Sequence, residues 1–294
     1  MTWRPATDEE IDRYYAEEFP THVDHLPEFL TATGPKQYAL AFREAHPVRS
    51  DERPSKEFIR RDTRQTNEAG EPTIQVFDQF EDVIDFIRHP ARNDPLAPSE
   101  YALADPALLE KTAPRPAAVY YALAHWDRPW VLLVDIDAKD IARERATEIV
   151  PFGVDENDLT DLLDMTGILD APPAGYPYAF EDIEQALEYG FEVQDIFEQD
   201  FAAEETMIVY TGQGVHVYLL DSDPAHRYDE KSREVVVDLL SESYDIPIDP
   251  VVTPDRRRVA RLPYSLHADV CRLVQPISSP DFDFRSATPE VIES

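Results

Sequence analysis

The sequence predicts a mixed α/β fold of the α+β kind, on three observations. Short apolar stretches of strand character, the clearest at 130–136, are interspersed with helices that carry one apolar face. In the second half strands are paired, one pair through a turn carrying Gly212 and Gly214, without the regular βαβ alternation of a parallel sheet. No Gly-x-Gly-x-x-Gly turn follows a strand and opens a helix, so the dinucleotide-binding Rossmann arrangement does not apply. There is no internal repeat and no low-complexity segment.

The elements follow in order. Thr7-Asp8-Glu9-Glu10 has the capping-box pattern, and Ile11, Tyr14, Tyr15 and Phe19 give the helix after it an apolar face. Residues 37–42 and 74–77 read as strands. Phe80, Val83, Ile84 and Ile87 form the face of a helix that ends before a loop at 90–99. A strand is expected at 117–123, and 130–136 is short and apolar enough to be a buried central one. A helix at 142–149 is followed by a Pro-rich stretch, 151–178, that reads as an insertion or linker. A helix at 180–189, strands at 206–210 and 215–220, a helix at 230–242 and strands at 258–262 and 272–275 complete the chain. The whole length, 1–294, is expected to be one catalytic domain with sub-modules at about 1–115 and 116–285.

Composition narrows the function classes. Acidic residues number 60 against 27 basic ones, a formal net charge of −33 spread over the whole chain. That pattern is expected of a halophilic protein, whose carboxylate-coated surface stays hydrated in molar salt. At 1 M salt the Debye length is only about 3 Å, so acidity argues little against nucleic-acid binding, and local basic clusters carry more information. No apolar run is long enough for a membrane span and no signal core follows Met1, so a cytoplasmic protein without a membrane partner is expected. Cys271 is the only cysteine. It excludes an internal disulfide and a thiolate zinc site within one chain, and it reads as a buried core residue in a strand-like context.

Three segments carry chemistry. Asp135-Ile136-Asp137 ends the most apolar strand, and alternation puts both carboxylates on one side of it with Ile136 facing the core. Two such charges repel and raise each other's pKa unless a cation neutralises them, and Mg²⁺ or Mn²⁺ does this through oxygen ligands. The blander alternative is that Asp137-Ala138-Lys139-Asp140 only caps the next helix. Next, Thr211-Gly212-Gln213-Gly214-Val215-His216 forms a turn whose glycines free backbone N–H groups to approach a phosphate. Last, Arg256, Arg257, Arg258 and Arg261 fall within the six residues 256–261, downstream of Asp249, and guanidinium groups grip phosphate bidentately. Arg258 and Arg261 flank an apolar strand, so they are not all expected to face bulk solvent. Asp249 could complete a carboxylate trio. A second basic group, Arg60, Arg61 and Arg64 with Lys56, suits template or nucleotide and equally a solvated loop.

In order, chemical type and spacing, Asp135-Ile136-Asp137, Thr-Gly-x-Gly-x-His at 211–216, and Asp249 with Arg261 twelve residues on and Ser265-Leu266-His267 resemble the small catalytic subunit of the archaeo-eukaryotic DNA primase superfamily. Leu26 to Leu30, Lys36 to Phe42, Ala118 to Ala122 and Arg272 to Ile277 are similar to further parts of that family, and the resemblance leaves out about 140–180. It implies an N-terminal α/β module packed on a strand-rich module similar to an RNA-recognition fold, with the active-site cleft between. It implies that Asp135, Asp137 and Asp249 hold two catalytic Mg²⁺ or Mn²⁺ ions. Thr211, Gly212, Gln213 and His216 would contact the nucleotide, and Arg261 and His267 its triphosphate. The implied activity is template-dependent primer synthesis from nucleoside triphosphates on single-stranded DNA. A gap-filling repair polymerase of the same superfamily and a non-catalytic nucleic-acid-binding relative are the alternatives. A large primase subunit and a replicative helicase are candidate protein partners.

The chain departs from the family in three places. The glycine turn is one residue shorter, with Gln213 where a basic residue is common. The zinc-element cysteines are missing, so no zinc is expected. Only 32 residues separate His216 from Asp249, too few for a large helical insertion. The expectation is a compact catalytic core.

Overall fold

The computed structural model of the chain describes residues 3–27, 30, 38–42, 58–60, 80–89, 115–122, 131–149, 176–221, 228–255 and 258–293. In chain order they form α1 (Asp8–Arg13), a π-helical turn (Tyr14–Glu18), α2 (Phe19–His22), β1 (Tyr38–Ala41), β2 (Phe58–Arg60), α3 (Phe80–Arg88), β3 (Ala118–Ala122), β4 (Leu132–Asp137), α4 (Ala138–Ile149), α5 (Phe180–Gln199), β5 (Thr206–Tyr210), β6 (Gly214–Leu219), α6 (Glu230–Ser243), β7 (Val259–Arg261), β8 (Leu266–His267), β9 (Arg272–Leu273), β10 (Gln275–Ile277) and α7 (Glu290–Glu293). Helices and sheets are both present, as the α+β reading requires. The expected strand at 74–77 and the loop at 90–99 lie outside the described residues, as does most of 151–178.

The chain divides into two compact units, each assembled from separate stretches. The first comprises Met1–Arg4, Leu123–Arg258 and Gln275–Ser286; the second comprises Pro5–Ala122, Val259–Val274 and Ala287–Ser294.

The first unit is built on an antiparallel sheet in the order β10-β5-β6-β4. Chain passes from β4 through α4 and α5 to β5, and β6 returns between β4 and β5. Valine, isoleucine, leucine and tyrosine fill these strands because both faces of their middle are covered, and every residue of β6 is buried. Helix α5 runs ten residues beyond the expected 180–189, to Gln199. Its buried stripe continues at the helical period through Val193, Ile196 and Phe197. Gly190 does not end it, because the missing side chain is what lets the helix lie on the sheet: a Cβ there would stand 2.8 Å from Val215 Cγ2. Asp182 tethers the first turn, accepting the Ala179 N–H at 2.7 Å and pairing with Arg145 at 2.8 Å. Trp3 packs edge-on against Phe180 and Phe284, closing the far side of this core.

The second unit carries the sheet β2-β1-β3-β7, also antiparallel, and the small β8-β9 ladder. The capping box forms as the sequence predicts, with Thr7 Oγ1 accepting the Glu10 N–H at 3.2 Å and Glu10 Oε2 accepting the Thr7 N–H at 2.7 Å. The α1 path then widens into the π-helical turn, and Tyr14, Tyr15 and Phe19 stack edge to face in the core. Two expectations need correction here. The strand at 272–275 is two short strands of different sheets, split at Val274, whose N–H and C=O are taken by Ser265 and Tyr264. Cys271 is buried and free, but it sits in the turn between β8 and β9 with φ 52°, not in a strand.

Candidate active site

Strand β4 runs one residue beyond the expected end, so that Asp135 and Asp137 both lie in it and helix α4 begins at once at Ala138. The burial pattern confirms the alternation: Ile136 is buried and the two aspartates are only partly so. Asp137 thus also stands just before the first residue of the helix. Asp135 lies directly opposite His216 of β6, which puts both side chains on one sheet face, and His216 Nε2 is 3.4 Å from Asp135 Oδ1. The other imidazole nitrogen of His216 meets the Tyr218 hydroxyl at 3.1 Å.

Asp137 takes the Lys139 ammonium at 3.2 Å on Oδ2, while its Oδ1 is buried with no hydrogen-bond partner among the described residues. Burial raises the Asp137 pKa, Lys139 pulls it back, and the Asp135 carboxylate pushes it up again. Asp140 is also raised, first by burial, with Asp249 and Asp135 adding to it. The four carboxylates therefore share one field. The Lys139 pKa is raised in turn, chiefly by Asp137.

The glycine turn packs on this strand end. Opposite Asp137 stands Gly214, where a Cβ would come within 2.2 Å of the Ile136 carbonyl oxygen, so no side chain fits. Gly212 has φ 101°, a left-handed conformation that favours glycine. Gln213 contributes its backbone: its carbonyl accepts the Ala138 N–H at 3.0 Å and so holds the first turn of α4. Thr211 is buried, and its N–H goes to the Gly214 carbonyl at 3.0 Å.

Asp249 arrives from distant sequence. Its N–H donates to the Asp135 carbonyl at 3.2 Å, which lays the segment before the Asp249 turn along the edge of β4 that β6 does not use. Its Oδ1 accepts the N–H groups of Val251 and Val252 at 2.7 and 2.9 Å. Arg233, buried in α6, ties the surrounding pieces together by donating to the carbonyls of Val131, Thr253 and Tyr228.

The second unit holds the remaining pair. Arg261 lies over the Tyr120 ring, 5.3 Å from its centroid, and its Nη2 meets His267 Nε2 at 3.1 Å. Arg258 goes the other way: it pairs with Asp255 at 3.6 Å with its side chain 39% exposed. Arg256, Arg257, Arg61, Arg64 and Lys56 fall outside the described residues, and of Arg60 only the backbone, in β2, is described.

Among the described residues no three His, Cys, Asp or Glu side chains are gathered into a ligand cage. Asp135, Asp137 and Asp249 are engaged by His216, by Lys139 and by backbone N–H groups respectively. A hard divalent cation nevertheless suits the donor set. The donors are carboxylate oxygens, one of them buried and unsatisfied, and Mg²⁺ and Mn²⁺ prefer such ligands. Lys139, Asp140, Tyr218, Tyr120 and Arg233 were not singled out from the sequence. Lys139 and Asp140 had a local signal, two and three residues after Asp137; Tyr218 and Arg233 come to the surroundings of the carboxylates, and Tyr120 to Arg261, through strand pairing and helix packing.

No family profile matches the chain. Two curated proteins are similar to it. One is the DNA primase small subunit PriS of Thermococcus onnurineus, 27% identical over 147 residues that make up 47% of this chain and 36% of that protein. The other is the DNA primase small subunit PriS of Thermococcus kodakarensis, 26% identical over 147 residues with the same shares. The matched stretch thus spans about a third of each relative's own length.

Proposed function

We propose, on the premise that this chain is a relative of the archaeal DNA primase small subunit, that it is a template-dependent primase or primase-polymerase. It would join nucleoside triphosphates on single-stranded DNA by nucleotidyl transfer. The reading is supported chiefly by the pair Asp135 and Asp137 on β4, with the Asp249 N–H bonded to the Asp135 carbonyl and a buried carboxylate oxygen of Asp137 left unsatisfied. These three carboxylates would hold Mg²⁺ or Mn²⁺, which when bound lower the pKa of an attacking 3′-hydroxyl and neutralise charge on the leaving pyrophosphate.

The chain's own residues do the rest. Burial strips water from Asp137 and makes it a stronger partner for a cation than an exposed carboxylate. His216, fixed by Tyr218, orients Asp135. The Thr211-Gly212-Gln213 turn, which holds the first residue of α4 through the Gln213 carbonyl, would line the nucleotide beside Asp137, and Arg261 would supply a guanidinium for the phosphates.

The test is synthesis by the purified chain in molar KCl with Mn²⁺, single-stranded template and labelled nucleotides, with and without a primer. Short products without primer support a primase. Products only with primer move the reading to a gap-filling polymerase of the same superfamily. No product in either arm overturns the enzymatic reading and leaves the non-catalytic relative.

A further inference from the structure

Resemblance implies that His267 grips the triphosphate directly, but the hydrogen bond it makes gives it another task. Both Arg261 Nη atoms carry only N–H groups, so at 3.1 Å Nη2 must donate and His267 Nε2 must accept. The Nε2 lone pair is then in use, and the imidazole is neutral with its proton on Nδ1. A proton on Nε2 would set two N–H groups head to head and two positive charges side by side. Arg272 stands opposite His267 in the β8–β9 register, Tyr120 of β3 lies under the guanidinium, and the Tyr15 hydroxyl accepts the Leu266 N–H next door. Asp269 is the nearest acid along the chain, two residues on.

Arg261 is thereby held on two sides, by the Tyr120 ring and by the His267 lone pair. Its Nη1 is buried with no hydrogen-bond partner among the described residues. An unsatisfied guanidinium N–H in a closed place is a standing demand for an anionic oxygen. We propose that His267 is a positioning residue that acts through Arg261: its neutral Nε2 fixes the guanidinium so that Nη1 is left to take a phosphate oxygen of the nucleotide. This rests on the primase reading above, and it inverts the pH response that direct capture by a protonated histidine would give.

The test uses the full chain in molar KCl with Mn²⁺ and template, reading the nucleotide KM between about pH 5.5 and 8, which spans imidazole titration. The native KM should rise on acidification, because a protonated His267 releases Arg261. His267→Gln keeps an acceptor for the guanidinium, so its KM should stay within about threefold of native at neutral pH and rise less than the native KM on acidification. His267→Ala should raise KM about tenfold with kcat little changed. In an Arg261→Met background the same alanine change should do nothing more, since the group it serves is gone. Thermal melts of each variant check folding. A native KM that falls on acidification, or a His267→Ala effect that persists in full without Arg261, overturns the inference while leaving the primase reading intact. A native chain that incorporates no nucleotide at any pH overturns that reading, and the inference with it.

Discussion

Asp137 ends a strand, starts a helix and carries one carboxylate oxygen on Lys139 while the other is buried without a partner. In such a place the negative charge is held at a cost, and the raised pKa expresses it. The linkage sign follows. The native metal-free chain holds the Asp137 proton more tightly than the unfolded chain does. The stability this group contributes is therefore full below the ordinary carboxylate value of 3.8 and is lost as pH rises through the raised one. Asp137→Asn should leave the metal-free chain at least as stable at pH 7 as the native chain, measured by thermal melting. It should also reduce primer synthesis by about a hundredfold or more, the scale of losing a charge that stabilises a phosphoryl-transfer transition state. Asparagine activity within a few-fold of native would remove Asp137 from the metal site. For the native chain, Mn²⁺ affinity should fall on acidification at a higher pH than an ordinary aspartate would impose, because the retained proton must leave first.

At the scale of the element, the β5–β6 hairpin is the piece whose geometry the site depends on. Gly212 and Gly214 do different jobs in it, one adopting a left-handed backbone and the other admitting the Ile136 carbonyl where a Cβ would be. Gly214→Ala should therefore destabilise the chain by about 3 kcal/mol, the upper range for overpacking against backbone that cannot yield. It should push the hairpin off β4 and lower synthesis along with the melting temperature; an unchanged melt would show that the hairpin is looser than its packing implies. The hairpin was legible in the sequence because its signals are local: alternating apolar residues with glycines between. The length of α5 was not, since Gly190 counts against a helix by propensity and its reason, contact with Val215, lies in another element. The split at Val274 was hidden for the same reason: an apolar run does not say which strand each residue will pair with.

At the scale of the whole molecule the net charge of −33 sets the conditions in which the rest can operate. Self-repulsion among 60 acids against 27 bases opposes any compact state in dilute buffer, and salt screens it over a length that shrinks to about 3 Å at 1 M. The melting temperature should rise by on the order of 10 °C between about 0.2 M and 2 M KCl, an increase of roughly 6 kcal/mol at about 2.1 cal/mol/K of unfolding entropy per residue. A flat dependence would sink the reading of the surface as salt-adapted. No helix among the described residues is long and apolar enough to cross a membrane. The division into two units, each drawn from separate stretches of chain, puts the three carboxylates in one and Arg261 with His267 in the other.

The sequence by itself determined the chemical types and their order: an aspartate pair on an apolar strand, a glycine turn with a histidine, a later aspartate and an arginine–histidine pair. It also determined the elements that carry them, because capping, alternation and turn chemistry act between residues close in the chain. Tertiary structure alone decided which of these groups meet. Strand register sets His216 opposite Asp135, a single backbone bond lays Asp249 against the same strand, and Arg233 of α6 ties Val131, just before that strand, to Thr253, just after Asp249. His267 meets Arg261, only six residues before it, across the turn between β7 and β8. The others are contacts between residues far apart in sequence, fixed by the packing of whole elements, and no local pattern encodes them.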